Sequence, residues 1–176
     1  MSGAGHLNAE VERATAQNFI RWYNKQNGRD LAFSRTPENA PDFVYSDKDG
    51  ELALEITTVY YGNEHARATN ETARGTRRAY AMQEIIDAPE SVEWHSVDNP
   101  EPRLIASINR GLTNKCQNDY GSECLLVIRV VCPALTSDFE LETAVIPHVS
   151  VPNNNRFLGM FVTRNQETYF ELPNRR

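Results

Sequence analysis

The stretch PDFVYSDKDGELALEITTVY, residues 41–60, decides the fold. Its first part is extended in character and leads into Ser46–Gly50, a run with strong turn chemistry that ends in Asp-Gly. The residues that follow, 51–60, are rich in Leu, Ile, Thr and Val, which favour a β-strand. The pattern therefore predicts a β-hairpin over residues 42–60.

One acidic residue interrupts the returning strand of this hairpin. Glu55 lies between Leu54 and Ile56, and a carboxylate among apolar side chains is costly unless a cation or a metal ion accompanies it. Asp42, at the start of the paired strand, is well placed to be its neighbour. Two converging carboxylates repel one another unless a positive charge lies between them. An Mg²⁺ ion, which takes one or two carboxylates together with water and substrate phosphate, meets that requirement.

Periodicity and turn signals predict the other elements of the chain. These are helices over residues 7–26, 64–87 and 103–119, a short strand over 31–34, a strand buried on both faces over 124–131, a strand around 142–146, a hairpin at 156–172 and a loop over 88–102. They predict an α/β fold in which one mixed central sheet is flanked by helices. The predicted single domain spans residues 1–176, with a core at about 7–132 and C-terminal strands at 140–172.

Composition restricts the class of protein. The net charge of −6 argues against a chain whose whole surface is a platform for nucleic acid. The sequence shows neither the apolar run of a signal peptide nor the roughly 18 apolar residues that a membrane span needs. Its three cysteines form no CxxC pair, which is typical of reduced core thiols. We therefore expect a cytoplasmic chain without a membrane partner.

One segment carries local positive charge despite the acidic average. Between residues 65 and 83, four arginines are accompanied by a single acidic residue, Glu71. Arginine forks match phosphate oxygens, so this segment is a candidate nucleic-acid-binding face. A solvated helix face is the other interpretation. The four candidates are Arg67, Arg74, Arg77 and Arg78.

The hairpin residues resemble a known motif. Pro41-Asp42 and the Glu-Ile-Thr run that begins at Glu55, thirteen residues after Asp42, are similar to the PD-(D/E)XK motif of the restriction-endonuclease-like nucleases. The predicted order of helix, strand, hairpin, helix and strand over about 7–132 is similar to the core of that family. The resemblance implies that Asp42 and Glu55 are catalytic ligands of Mg²⁺ or Mn²⁺.

The resemblance has one departure, at Thr57, which stands where the motif has its lysine. The Thr57 hydroxyl can hold a water molecule but carries no charge. Lys115, on the helix before the buried strand, could supply the missing catalytic cation; Arg110 is the weaker candidate. The resemblance also implies that Glu12 of the first helix completes the metal site, with Glu10 as a weaker alternative. Placement near the positive end of a helix would also explain Glu12.

The resemblance implies a metal-dependent nuclease that hydrolyses phosphodiester bonds in DNA or RNA. It includes a homodimer among the expected assemblies, since many such enzymes dimerise to cut both strands of a duplex. If no cation replaces the motif lysine, the domain instead binds nucleic acid or a protein partner without cutting. In a third interpretation the carboxylates make only structural ion pairs. The position of a cation beside Glu55 discriminates between the first two functions. The third interpretation predicts that Asp42→Asn and Glu55→Gln change stability but not metal affinity.

Overall fold

In the computed structural model, which describes residues 3–61, 100–121, 123–132 and 135–173, six strands form one mixed sheet. In chain order they are β1 (Ala32–Arg35), β2 (Phe43–Asp47), β3 (Gly50–Tyr60), β4 (Cys124–Val131), β5 (Gly159–Thr163) and β6 (Phe170–Glu171). The strands lie side by side in that same order. The β3–β4 and β4–β5 pairs are parallel and the others are antiparallel. The α/β class and the mixed sheet predicted from the sequence are confirmed.

Two long helices cover opposite faces of the sheet. Helix α1 (Gly3–Asn27) buries Phe19 and its neighbours in one apolar cluster, and α2 (Pro100–Lys115) contributes to a second. Strand β4 belongs to both clusters, because Leu125 faces the α1 cluster and Leu126 faces the α2 cluster. The prediction that this strand is buried on both faces is therefore confirmed.

Element boundaries differ modestly from those predicted. Helix α1 begins at Gly3 instead of residue 7, and Gly28, with a φ of 63°, follows its end. Helix α2 extends N-terminally over residues 100–102, which were predicted to be loop, and ends at Lys115 instead of residue 119. The predicted helix over 64–87 lies outside the described residues, as does most of the loop predicted over 88–102.

The strand predicted around residues 142–146 is wrong, because this part of the chain is helical. A short helix, α3 (Asp138–Glu140), continues through a π-helical turn (Leu141–Val145) and a 3₁₀ turn (Ile146–His148). A capping box begins it: the Ser137 hydroxyl accepts a hydrogen bond from the Glu140 amide, and the Glu140 carboxylate accepts one from the Ser137 amide. This local pairing of backbone donors outweighs the β-propensity of the residues that follow.

The last predicted hairpin is confirmed, since β5 and β6 pair antiparallel within residues 156–172. The three cysteines are buried and reduced, also as predicted. No helix among the described residues combines the length and the apolarity that a bilayer span requires.

The aromatic contacts of α1 provide a test of how it is held against the sheet. Phe19 is fully buried, with its ring centroid 5.1 Å from that of Phe161 and 5.2 Å from that of Tyr169. We expect Phe19→Ala to lower the free energy of unfolding by about 3–5 kcal/mol, because it opens a cavity in this cluster. Phe139→Ala, at a side chain that is 71% exposed, is the matched control. Urea unfolding curves that shift equally for both variants would contradict this packing.

Candidate metal and catalytic site

Asp42 and Glu55 are tied together across the hairpin. The register pairs Phe43 with Leu54, which places Asp42 opposite Glu55. The Asp42 amide donates a hydrogen bond to Glu55 Oε2 (3.1 Å), and the Ile56 amide donates one to Asp42 Oδ2 (2.8 Å). Each carboxylate therefore accepts a hydrogen bond from a backbone amide across the hairpin. These two bonds fix the orientation of both side chains.

Glu55 is buried, with 3% of its surface exposed. Its side chain points to the α2 face of the sheet, the same face as Val59 two alternations further along β3. At this depth an isolated carboxylate is costly, so its partners decide whether the fold tolerates it.

Lys115, the last residue of α2, is the cation that meets Glu55. Its Nζ lies 2.5 Å from Glu55 Oε1, although the two residues are 60 positions apart in the sequence. The Lys115 side chain is 27% exposed, whereas the Glu55 side chain is 4% exposed. Solvent therefore reaches the lysine but hardly reaches the carboxylate. The competing candidate, Arg110, is exposed on the same helix.

The chain connection explains how Lys115 reaches this position. Strand β4 lies parallel to β3, with Cys124 beside Ala53, and the Ala53 amide donates to the Glu123 carbonyl (2.9 Å). A parallel neighbour requires a crossover, and α2 is the helix that leads into β4. The C-terminal end of α2 therefore lies at the beginning of β4, within reach of the middle of β3.

Burial and charge shift the pKa values of this pair. Burial raises the pKa of the Glu55 carboxyl, and the charge of Asp42 raises it further. The hydrogen bond from Lys115 lowers this pKa, but the pKa stays above its ordinary value. For Lys115, burial would lower the pKa, but the hydrogen bond and the charge of Glu55 outweigh it and the pKa is raised. Lys115 therefore stays a cation at neutral pH.

Glu12 of α1 belongs to the same electrostatic cluster. Its pKa is raised by burial and by the charges of Asp42 and Glu55, while Lys115 opposes the shift. Because α1 begins at Gly3, Glu12 lies beyond the first turn, where a helix dipole acts on side chains. The dipole explanation considered for Glu12 therefore does not apply. Glu10, the alternative, is exposed on α1.

Two residues at the site were not singled out from the sequence. Tyr120 is buried, its hydroxyl accepts a hydrogen bond from Asn118 Nδ2 (3.1 Å), and its pKa is raised by burial and by the charge of Glu55. Cys124 is also close: burial, with the charges of Glu55 and Asp42, raises the pKa of its thiol to about 12. No motif marks either residue, since only the parallel pairing of β3 and β4 brings them here. The Cys124 thiol stays protonated and is no nucleophile.

The other predicted site residues divide into two groups. Thr57 is half-buried on β3, two residues beyond Glu55 and on the same face of the sheet. The four arginines of the predicted nucleic-acid face, between residues 65 and 83, lie outside the described residues, as does Glu71. Those arginines are Arg67, Arg74, Arg77 and Arg78.

Within the described ranges, no three His, Cys, Asp or Glu side chains are grouped as a ready-made metal cage. Glu55 Oε1 contacts Lys115, Glu55 Oε2 contacts the Asp42 amide, and Asp42 Oδ2 contacts the Ile56 amide. Asp42 and Glu55 thus supply two adjacent carboxylates, with further carboxylate charge nearby from Glu12. This donor set fits Mg²⁺ or Mn²⁺ held by two carboxylates and water, since Mg²⁺ characteristically keeps several waters.

The chain matches no protein-family model, and it has no significant match among curated proteins or among solved structures.

The Lys115–Glu55 pair leads to a prediction about stability. Lys115→Met leaves the Glu55 carboxylate buried without its cation, which we expect to lower the free energy of unfolding at neutral pH by about 2–4 kcal/mol. The loss of Lys115 raises the pKa of Glu55 further, so the folded state takes up a proton at higher pH. The cost of the substitution therefore shrinks as the pH falls through the folded pKa of Glu55. Urea unfolding at neutral and acid pH measures this.

Two further variants serve as controls for this measurement. Lys48→Met removes a lysine at an exposed turn and should leave stability nearly unchanged. The double variant Lys115→Met with Glu55→Gln should recover much of the loss, because it leaves no buried charge. A Lys115→Met cost that is independent of pH would contradict the ion pair.

Proposed function

We propose that this chain is a metal-dependent phosphodiesterase with a restriction-endonuclease-like core, acting on DNA or RNA, in which Lys115 replaces the lysine of the motif. The observation that carries the proposal is the 2.5 Å contact between Lys115 Nζ and Glu55 Oε1. It sets a cation beside the two hairpin carboxylates, which a nuclease-like site without its motif lysine needs for catalysis.

The order of elements supports the restriction-endonuclease-like core. Helix α1, strand β1, the β2–β3 hairpin, helix α2 and strand β4 follow one another in the described chain, with β4 parallel to β3. This is the order that the resemblance of the Asp42 and Glu55 motif implies. A fold alone does not define an activity, so the proposal depends on the site.

Asp42 and Glu55 have the role of holding the metal. Their carboxylates are oriented by backbone amides, and Glu12 adds negative charge from α1. A bound Mg²⁺ or Mn²⁺ supplies Lewis-acid polarisation of the phosphate and a more acidic bound water. The chain contributes a fixed pair of donors, so binding requires no rearrangement of the hairpin backbone.

Lys115 has the role of a fixed positive charge and hydrogen-bond donor. Because its pKa is raised, it does not act as a general base at neutral pH. It can orient the attacking water and stabilise the negative charge that develops on the phosphoryl oxygens. Thr57 lies on the same face and offers a hydroxyl to the same water without a charge.

The alternative function is binding of nucleic acid or a protein partner without cleavage, and it requires the contacts of Glu55 to be purely structural. Both Glu55 oxygens are already engaged, by Lys115 and by the Asp42 amide. An ion pair that satisfies Glu55 in this way would stabilise the fold without any metal. The two functions differ in their requirement for a divalent ion.

Metal binding separates these two functions without a known substrate. We expect the wild-type chain to bind Mn²⁺ in isothermal titration calorimetry, and the double variant Asp42→Asn with Glu55→Gln to lose that binding, because it removes both charged donors. Asp30→Asn with Glu38→Gln is the matched control, since it removes the same two carboxylate types from exposed positions. Equal Mn²⁺ binding by both double variants would contradict a metal site at the hairpin.

Cleavage assays test the role given to Lys115. With single- and double-stranded DNA and RNA as pooled substrates, we expect Lys115→Met to lower the Mg²⁺-dependent cleavage rate by about 100-fold or more, because it removes a charge that stabilises the transition state. Its Mn²⁺ affinity should stay the same or become tighter, since Lys115 no longer competes for Glu55. Arg110→Met, on the same helix, should cleave at the wild-type rate. A parallel loss of metal affinity and cleavage would instead indicate a structural role.

A further inference from the structure

Arg129 of β4 has a buried guanidinium nitrogen that meets no hydrogen-bond acceptor in the described part of the chain. Its side chain points to the α1 face of the sheet, opposite to Glu55, because Val127 and Leu125, two and four positions earlier, belong to the α1 cluster. The unpaired atom is Nε. The two terminal amino groups are not buried in this way, so the guanidinium lies at the boundary between the interior and solvent.

The other half-buried arginines of the described residues have carboxylate partners. Arg29 donates two hydrogen bonds to Asp47, both 2.7 Å long, and Arg164 Nε donates one to Asp138 Oδ1 (3.3 Å). The ion pairs found among the described residues do not include Arg129. A buried donor without an acceptor costs free energy, and the cost is larger for a charged group. The charge of Arg129 therefore lacks the compensation that the fold gives to comparable arginines.

Two threonines flank Arg129 in the sheet. The parallel register places Thr58 of β3 on one side and Thr163 of β5 on the other, and residues in register point to the same face. Thr163 is fully buried, and its hydroxyl accepts a hydrogen bond from the Gln166 amide (2.9 Å), which leaves the hydroxyl hydrogen to donate elsewhere. Strand β5 ends at Thr163, so the three side chains lie near the carboxyl ends of the parallel strands, where α/β sheets commonly bind ligands.

The chemistry of these three groups selects an oxyanion. The guanidinium fork donates two parallel hydrogen bonds to a carboxylate or a phosphate. The threonines stand on the neighbouring strands, about 5 Å to each side of Arg129. The oxygens of a tetrahedral phosphate extend out of the plane of the fork towards such lateral donors, whereas those of a planar carboxylate stay in that plane. A cation or an apolar ligand would leave the Nε–H without an acceptor.

We propose that Arg129, together with Thr58 and Thr163, binds a phosphate group on the α1 face of the sheet. The phosphate accepts hydrogen bonds from Nε and one terminal amino group of Arg129, and it balances the charge of the guanidinium. Because Asp42 and Glu55 belong to the opposite face, this inference does not rest on the proposed function. Free phosphate and the diester of a nucleic-acid backbone share this chemistry, and the experiment separates them.

The Nε–H group of Arg129 reports on this site directly. In ¹H–¹⁵N correlation spectra, arginine Nε–H groups resonate apart from the backbone amides, and Arg129→Lys assigns the signal by removing it. We expect inorganic phosphate at millimolar concentration to move this proton resonance to lower field, because the Nε–H gains a charged acceptor. Sodium chloride at the same ionic strength should not move it. An unchanged resonance in phosphate, or an equal shift in chloride, would overturn the proposal.

Two further probes identify the source of the phosphate. Tighter binding of inorganic phosphate than of dimethyl phosphate supports a site for free phosphate or a monoester, and the reverse order supports a site for the backbone diester. Acetate tests the alternative oxyanion. Acetate binding at Arg129 as tight as that of either phosphate would overturn the choice of a tetrahedral anion.

Substitution of Arg129 gives a second measurement, by urea unfolding. Phosphate at ten times its dissociation constant should raise the folding equilibrium constant of the wild type about tenfold, because it binds the folded state. Arg129→Met keeps an apolar stem and removes a charge that has no carboxylate partner, so it should fold and show no effect of phosphate. Arg103→Met, at an exposed position of α2, is the matched control and should respond as the wild type does. Equal stabilisation of Arg129→Met and the wild type by phosphate would contradict the assignment.

The double variant Asp42→Asn with Glu55→Gln distinguishes this inference from the proposed function. It should lose Mn²⁺ binding but keep the phosphate-induced shift of the Arg129 Nε–H resonance, because the two sites lie on opposite faces of the sheet. If the wild type binds phosphate at Arg129 but neither binds Mn²⁺ nor cleaves, the phosphate site stands and only the proposed function fails. Loss of the Arg129 response in the double variant would overturn the placement of phosphate on the α1 face.

Discussion

The burial of one carboxylate, Glu55, is the constraint on which the rest of the site depends. A charge with 3% exposure in the middle of a central strand needs partners, and the fold provides two. The Asp42 amide reaches it across the hairpin, and Lys115 reaches it from the end of α2. The carboxylate of Glu12, on α1, adds like charge to the same cluster.

The fold itself does not require an ion pair at position 55. Replacing a buried ion pair by packed hydrophobic groups often leaves the free energy of unfolding unchanged or raises it. In the structure, Lys115 neutralises Glu55. Under the proposed function, Asp42 and Glu55 would hold a divalent ion, and Lys115 would supply positive charge beside it.

The charge of the cluster is balanced at its centre and negative around it. Lys115 is paired with Glu55, and the carboxylates of Asp42 and Glu12 add negative charge. Under the proposed function a divalent ion would offset that charge. The parallel pairing of β3 and β4 creates this arrangement, since it brings the C-terminal end of α2 to Glu55.

The sequence by itself determined the hairpin, the doubly buried β4 and the adjacency of Asp42 to Glu55, because strand alternation and turn chemistry are local. It failed at residues 142–146, where the capping box of Ser137 and Glu140 turned the chain into a helix. Only the tertiary structure decided which cation meets Glu55 and that the charge of Glu55 acts on Tyr120. The physical reason is that these contacts depend on the crossover from β3 to β4, which brings together residues about 60 positions apart.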